Sequence, residues 1–163
     1  MVVAAVAIGS NLGDRAAHIA FALERLARIL RDLRCSASIE TEPEGMPGSQ
    51  GRVLNAAAVG MAEGSSRDLL TALLGIERER GRERPFPGAP RTLDLDLILF
   101  GGQSVNEEGL AVPHPRFRER EFVLAPLAEI APTLRDPVTG LTVGQLLRDL
   151  GRARPGAGAP HRP

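Results

Sequence analysis

Two aspartates stand two residues apart in the run Pro90-Arg91-Thr92-Leu93-Asp94-Leu95-Asp96-Leu97-Ile98-Leu99-Phe100. Side chains alternate along a strand, which predicts Leu93, Leu95, Leu97 and Leu99 on one face and Asp94, Asp96, Ile98 and Phe100 on the other. Two carboxylates on one face, roughly 6.5–7 Å apart at Cα, can reach one cation or a pair. Oxygen-only donors suit magnesium, which binds through one or two carboxylates together with substrate phosphates. A solvated strand face, or two acids paired with arginines, satisfies the same pattern. An Asp-x-Asp pair also serves sugar and nucleotidyl transfer, so the motif alone names a class of chemistry and no single reaction.

Arginines crowd both sides of this run: Arg78, Arg80, Arg82, Arg84 and Arg91 before it, and Arg116, Arg118 and Arg120 after it. Arginine forks match phosphate oxygens, so acids that hold a cation among arginines could grip a polyphosphate. Glu77, Glu79 and Glu83 interleave with the first cluster, and a solvated charged face reads the same way. Arg91 differs in abutting the acids. His114 lies between two prolines, which restrict its backbone. Gly9-Ser10-Asn11 ends a strand and could turn backbone N–H groups toward a ligand. Asn55 is polar in an otherwise small and apolar strand; it could read a heterocycle edge or make a core hydrogen bond.

All 20 basic residues are arginine. Without lysine, a Walker-type phosphate loop and Schiff-base chemistry are excluded. The net charge of zero points to neither a nucleic-acid nor a membrane surface. The single cysteine, Cys35, excludes an internal disulfide and a cysteine zinc site, and its small apolar surroundings predict a buried thiol. The apolar start Met1–Ile8 is too short to span a bilayer and runs directly into Gly9, which reads as a buried strand of a cytoplasmic protein.

These residues need a scaffold, and the periodicity supplies one. Val2–Gly9 reads as a strand. Asn11–Arg34 carries Ile19, Leu23, Leu26, Leu30 and Leu33 at helical spacing, with Asp14 as N-cap. Cys35–Thr41 reads as a second strand, Glu42–Gly51 as a loop and Leu54–Met61 as a third strand. Ser65 and Asp68 form a capping box for a helix through about Arg80, with Leu69, Leu70, Leu73 and Ile76 inward and Gly81 ending it. A loop at Arg82–Pro90 precedes the Asp strand. The order matches a ferredoxin-like α+β fold, an antiparallel sheet with helices packed on one face. Short C-terminal additions follow: a Pro-rich turn at Val112–Pro115, helices at Phe122–Ile130 and Val143–Leu150, and a turn at Asp136–Gly140 between them. Residues 1–150 read as one domain; residues 151–163, rich in Gly, Pro, Ala and Arg, are expected to be disordered.

The segments Ala7–Gly13, Leu54-Asn55-Ala56, Gly81–Arg84, Pro90–Asp96 and Val112–Arg116 occur in that order. Together they resemble the 6-hydroxymethyl-7,8-dihydropterin pyrophosphokinase family, from about Val3 to Leu150. The resemblance implies transfer of pyrophosphate from ATP to the pterin hydroxymethyl group with release of AMP, in folate biosynthesis. It implies two Mg2+ ions held by Asp94 and Asp96, with Arg82, Arg84 and Arg91 on the phosphates of the reacting ATP. It assigns Glu77, Ile98, His114 and Arg120, with Arg84 and Arg91, to the nucleotide site. It assigns Gly9, Thr41, Gly45, Asn55 and Phe122 to the pterin site. ATP and the pterin are the implied partners, with no nucleic acid and no membrane, and a monomer is expected. Two features depart from the family pattern. Val53 stands where a second aromatic ring stacks the pterin. The segment Pro85–Ala89 is one residue shorter than usual and lacks an Arg-Trp pair.

Overall fold

The computed structural model describes residues 1–42, 52–81 and 92–153. Strand β1 (Val2–Ser10) leads through a turn to helix α1 (Arg15–Leu26), then to strands β2 (Arg31–Cys35), β3 (Ile39–Thr41) and β4 (Val53–Ala62). Helix α2 (Ser66–Glu79), strand β5 (Asp94–Phe100) and a hairpin of β6 (Val105–Glu107) and β7 (Leu110–Val112) follow. A single 3-10 turn (Phe117–Glu119) enters helix α3 (Glu121–Ile130), and helix α4 (Val143–Ala153) comes last.

The main sheet has the order β2-β4-β1-β5, with β3 extending the β2 side by pairing with β4. All of these pairings are antiparallel. Helices α1 and α2 cover one face, burying Ile19, Ala22, Leu26, Leu69, Leu73 and Ile76 against Ala4, Val6, Ile8, Ala56 and Ala58. The C-terminal additions do more than extend this arrangement. Helices α3 and α4 cover the opposite face, where Val123, Leu124, Leu127, Val143 and Leu146 pack on Ala5, Ala57, Val59, Ile98 and Leu99. Central strands covered on both faces must be apolar at every position, which explains the unbroken small-residue runs Val3–Ile8 and Ala56–Val59.

Several expected boundaries move. The first helix stops at Leu26 and does not continue to Arg34. Leu30 still reaches the core, but from the turn after α1, and residues 31–35 form β2. The reason is steric: a Cβ on Gly60 of β4 would lie 2.8 Å from Leu30 Cβ and 3.1 Å from the Arg31 carbonyl, so the missing side chain lets the turn lie against the strand. The single expected strand Cys35–Thr41 is two short strands. Cys35 is exposed, which overturns the expected burial, because β2 packs little of its own length. Helix α4 runs to Ala153, so Gly151–Ala153 are helical where disorder was expected; residues 154–163 lie outside the described residues. Among the described residues no helix is long and apolar enough to cross a membrane.

Helix α2 starts as the sequence predicts. Ser65 accepts from the Asp68 N–H at 3.0 Å, and Asp68 accepts from the Ser65 N–H at 3.1 Å. Gly81 follows its end with φ of +78°, the left-handed conformation that ends helices. The two helices of this layer interlock at that end. Arg80 donates through Nε to His18 Nδ1 at 2.8 Å, and the Arg25 and Arg80 guanidinium groups lie 4.4 and 4.7 Å from the Phe21 ring centre. Burial, and then the Arg80 charge, hold the His18 imidazole below its ordinary value of 6.5, outweighing Asp14 and the Leu12 carbonyl.

Replacing Ser65 with Ala should cost about 1 kcal/mol of stability, read from urea unfolding. The depressed His18 has a signed consequence. Below about pH 6.5 the unfolded chain takes up a proton that the folded chain resists, so stability should fall as pH drops through that region. His18→Gln should flatten that part of the stability–pH curve.

Candidate active site

The antiparallel registers set one row of residues across the sheet. Ile39 pairs with Asn55, Asn55 with Gly9, and Gly9 with Asp94. In the adjacent row Ala57 pairs with Ala7 and Ala7 with Asp96. Register partners share a face, so Asn55, Gly9, Asp94 and Asp96 all lie on the face that α3 and α4 cover further along. Thr41 and Val53, paired two residues on, share it as well. Adjacent strands lie roughly 4.8 Å apart, which spaces Asn55 from Asp94 by roughly 10 Å. Gly9 forms the floor between them. A Cβ there would sit 3.7 Å from Val53 Cγ1 and 3.8 Å from Asn55 Oδ1, filling a gap into which a flat ligand could settle.

Asn55 is only 5% exposed. Its Nδ2 donates to Thr41 Oγ1 at 2.8 Å, with longer contacts to the Val53 and Ile39 carbonyls at 3.3 and 3.5 Å. This network orients the carboxamide and directs Oδ1 toward Gly9. Thr41 thereby acquires a role: it holds the carboxamide on β4 from the neighbouring strand. The core hydrogen bond expected of Asn55 is made by its Nδ2 end. Ser10, next along β1, donates to the Thr92 carbonyl at 2.5 Å and ties the end of β1 to the start of β5.

Asp94 and Asp96 are both half-buried. Between them, the Leu95 N–H donates to Glu77 Oε2 at 2.6 Å. Strand β5 is the last of its sheet, so the carboxylate takes the place of a further strand for this N–H. Glu77 is 2% exposed and reaches β5 from the α2 side. Glu77, which the family resemblance assigns to the nucleotide site, thus also supports the backbone between the two aspartates.

The expected alternation holds from Leu93 to Leu97 and then breaks. Val6 pairs with Leu97 and Ala5 with Leu99, so Ile98 is an extra residue in a β-bulge. As a correction, Phe100 therefore joins the face of Leu93, Leu95 and Leu97, and Leu99 moves to the other face. Four consecutive apolar residues carry no alternation that could reveal this. The Ile98 side chain is 1% exposed, buried beneath α3 and α4. Its carbonyl accepts the His114 N–H at 2.9 Å. The bulge thus attaches the His114 segment to the Asp strand. A cis Val112–Pro113 peptide bond precedes His114, whose Nδ1 accepts from the Arg116 N–H at 3.1 Å. In neutral His114 the proton therefore sits on Nε2.

The later arginines separate by role. Arg120 stacks on Phe122 at 5.5 Å from the ring centre, where α3 begins. Arg118, counted from sequence among possible phosphate ligands, is committed elsewhere. Its Nε and Nη2 donate to the two oxygens of Asp136 at 2.6 and 2.9 Å. The sequence showed Asp136 only as part of a turn and offered no sign of this partner. Burial pushes the Asp136 carboxyl up, but hydrogen bonds from Arg118, Thr139 and the Val138 N–H prevail and hold it below the usual range.

Gly9, Thr41, Asn55, Asp94 and Asp96 are therefore brought together, with His114, Arg120 and Phe122 on the segment attached beside them. Arg82, Arg84, Arg91 and Gly45 lie outside the described residues, as does nearly all of the expected loop Glu42–Gly51 and the whole of the expected loop Arg82–Pro90. Among the described residues there is no cluster of three or more His, Cys, Asp or Glu suited to a metal ion. Two half-buried carboxylates on one face fit a magnesium ion that takes its remaining ligands from phosphates and water.

Comparison with known proteins shows the family. Residues 5–132 match the sequence model of the family described as 7,8-dihydro-6-hydroxymethylpterin-pyrophosphokinase. A Methylorubrum extorquens protein named 2-amino-4-hydroxy-6-hydroxymethyldihydropteridine pyrophosphokinase is 42% identical over 145 residues, covering 88% of this chain and 90% of that one. One of the same name from Pseudomonas aeruginosa is 42% identical over 134 residues, covering 81% and 82%. A solved structure of an HPPK-DHPS in complex with substrates superposes with a TM-score of 0.76 at 12% identity. It covers 93% of this chain and 43% of that one, and at this identity it speaks for the fold alone.

Thr41→Val removes the shortest hydrogen bond to Asn55 and should cost about 1 kcal/mol in urea unfolding. Thr41→Ser, which keeps the hydroxyl, should cost measurably less.

Proposed function

The chain belongs to the 7,8-dihydro-6-hydroxymethylpterin-pyrophosphokinase family, and from that premise we propose that it transfers pyrophosphate from ATP to the hydroxymethyl group of 6-hydroxymethyl-7,8-dihydropterin, releasing AMP, in folate biosynthesis. The observation that carries the reading is the row Asn55–Gly9–Asp94. It joins a flat, side-chain-free floor, edged by a carboxamide oxygen, to an acidic strand end. A bicyclic heterocycle lying on Gly9 would point its substituent along the row toward Asp94.

In the proposed step the hydroxyl oxygen attacks the β-phosphorus of ATP in line. The bond between the β-phosphorus and the oxygen bridging it to the α-phosphorus breaks, that electron pair leaves on AMP, and the hydroxyl proton passes to solvent. Asp94 and Asp96 would hold magnesium. When bound, the metal neutralises phosphate charge and lowers the pKa of a coordinated hydroxyl. The protein's own contribution is position and charge. Asn55 Oδ1 orients the heterocycle, with its carboxamide held by Thr41. Phe122 is assigned to the pterin by the family resemblance, and Val53 offers an aliphatic wall beside Gly9 in place of a second ring. Arg82, Arg84 and Arg91 are assigned to the phosphates by the family resemblance, and their cationic forks neutralise charge that spreads over the phosphoryl oxygens. His114 and Arg120, on the segment attached at Ile98, are assigned to the nucleotide. The reading places the enzyme in the cytoplasm.

Incubation with ATP, magnesium and the pterin, followed by chromatography of the nucleotides, should yield pterin-dependent AMP and one equivalent of pterin diphosphate. ADP as the product would overturn the reaction class. Asp96→Ala should lower kcat by about a hundredfold or more. Its Tm should stay level or rise in metal-free buffer, because one of two neighbouring like charges is gone.

A further inference from the structure

We infer that the buried Arg118–Asp136 pair is a positioning device for the reaction, locking the His114–Phe122 segment onto a rigid platform in the C-terminal turn. The inference rests on the reading above, in which His114, Arg120 and Phe122 line the substrate sites.

The segment has little local reason to keep its shape. It begins at a cis peptide bond and contains only one 3-10 turn before α3. Neither the residue before that turn, Arg116, nor the residue before α3, Arg120, makes a side-chain capping hydrogen bond. Pro126 lacks an N–H, so the Phe122 carbonyl four residues back receives no helical bond from it. The first turn of α3, which presents Arg120 and Phe122, therefore lacks a side-chain cap and one ladder bond. Tertiary contacts also hold the segment, and three stand out. The His114 N–H bonds the Ile98 carbonyl, the Phe117 ring is fully buried, and Arg118 grips Asp136 through both carboxylate oxygens. Of the three, the last fixes orientation about the segment axis within the 3-10 turn that leads into α3, because a planar fork on a planar carboxylate admits one arrangement.

The other side of the grip is built to stay put. Asp136 is 0% exposed, and its carboxylate also accepts from the Val138 N–H at 3.0 Å and Thr139 Oγ1 at 2.7 Å. Its own N–H and carbonyl bond Leu141 and Gly140, each at 2.8 Å. Arg135 donates to the Gly140 carbonyl at 2.6 Å, and Val143 and Gly144 bond back to Leu134 and Pro132. Arg118 lies 4.9 Å from the centre of the Phe117 ring, so the fork and the buried ring brace each other. Two residues beyond the fork stands Arg120, and four beyond stands Phe122. Small misplacements of substrate-binding groups cost rate far out of proportion to stability.

The test is steady-state kinetics with both substrates on Asp136→Asn, Arg118→Lys and Thr139→Val, at a temperature well below the lowest Tm of the set, with Arg120→Ala in parallel. Asp136→Asn should raise KM for ATP about tenfold or more and change kcat less. Arg118→Lys, which keeps the charge but loses the fork, should fall between it and the wild type. If Asp136→Asn does not fold, Thr139→Val carries the test, since it removes one of four hydrogen bonds to the carboxylate and should raise KM a few-fold. A lowered Tm with KM and kcat unchanged for both substrates would make the pair purely structural and overturn the inference. A raised KM in Arg120→Ala beside wild-type kinetics in the Asp136 and Arg118 variants would overturn it and leave the site reading standing. Wild-type kinetics in all of the variants would overturn both.

Discussion

Strand β1 is hydrogen-bonded on both edges, to β4 and to β5, and the rest of the structure depends on that double register. Pairing fixes which residues lie side by side, because a slip of one position would turn every side chain to the other face. Here the cost of a slip is high, since both faces of β1 are covered by helices. The apolar packing that stabilises the fold thereby also holds Asn55, Gly9 and Asp94 in one row. The site needs no separate scaffold; its geometry follows from the register of a strand that the core already specifies.

The same core explains how two acids are kept close together at a strand start. Asp94 and Asp96 point away from the α1 and α2 layer, while Leu93, Leu95 and Leu97 anchor the strand within it. Buried Glu77 adds a hydrogen bond to the backbone between them. Support of this kind steadies the backbone from which both carboxylates project. The β-bulge at Ile98 extends the logic. It gives up one ladder pairing, buries an additional apolar side chain under α3, and uses the Ile98 carbonyl to hold the His114 segment.

Charge in this molecule serves two different ends. Ion pairs such as Arg28 with Glu24 or Arg67 with Glu107 lie on the surface, where solvent leaves them worth little. The Arg118–Asp136 pair is different, with its carboxylate fully enclosed and every oxygen engaged. A buried pair of this kind stabilises little relative to apolar packing, yet breaking it leaves an isolated charge that costs about 3–5 kcal/mol. It acts as a constraint on geometry more than as a source of stability. That suits a segment whose caps are missing and whose helix begins with an interrupted ladder.

The amino-acid sequence by itself determined the local elements and the chemistry-bearing residue types. Alternation revealed the start of the Asp strand, helical spacing and the Ser65–Asp68 box revealed α2, and the ordered motifs carried the family resemblance. Those signals are short-range, because they depend on which residues share a turn or a pleat. Only the tertiary structure decided that α1 stops at Leu26, since the stop depends on Gly60 of a distant strand. It alone decided that Cys35 faces outward, that Leu99 and Phe100 exchange faces, that Glu77 supports the Asp strand, and that Arg118 belongs to Asp136. Each of these depends on a partner 18 or more residues away or on an unpaired edge. Periodicity within one segment cannot encode such a partner, because packing and hydrogen-bond satisfaction are settled only when segments meet.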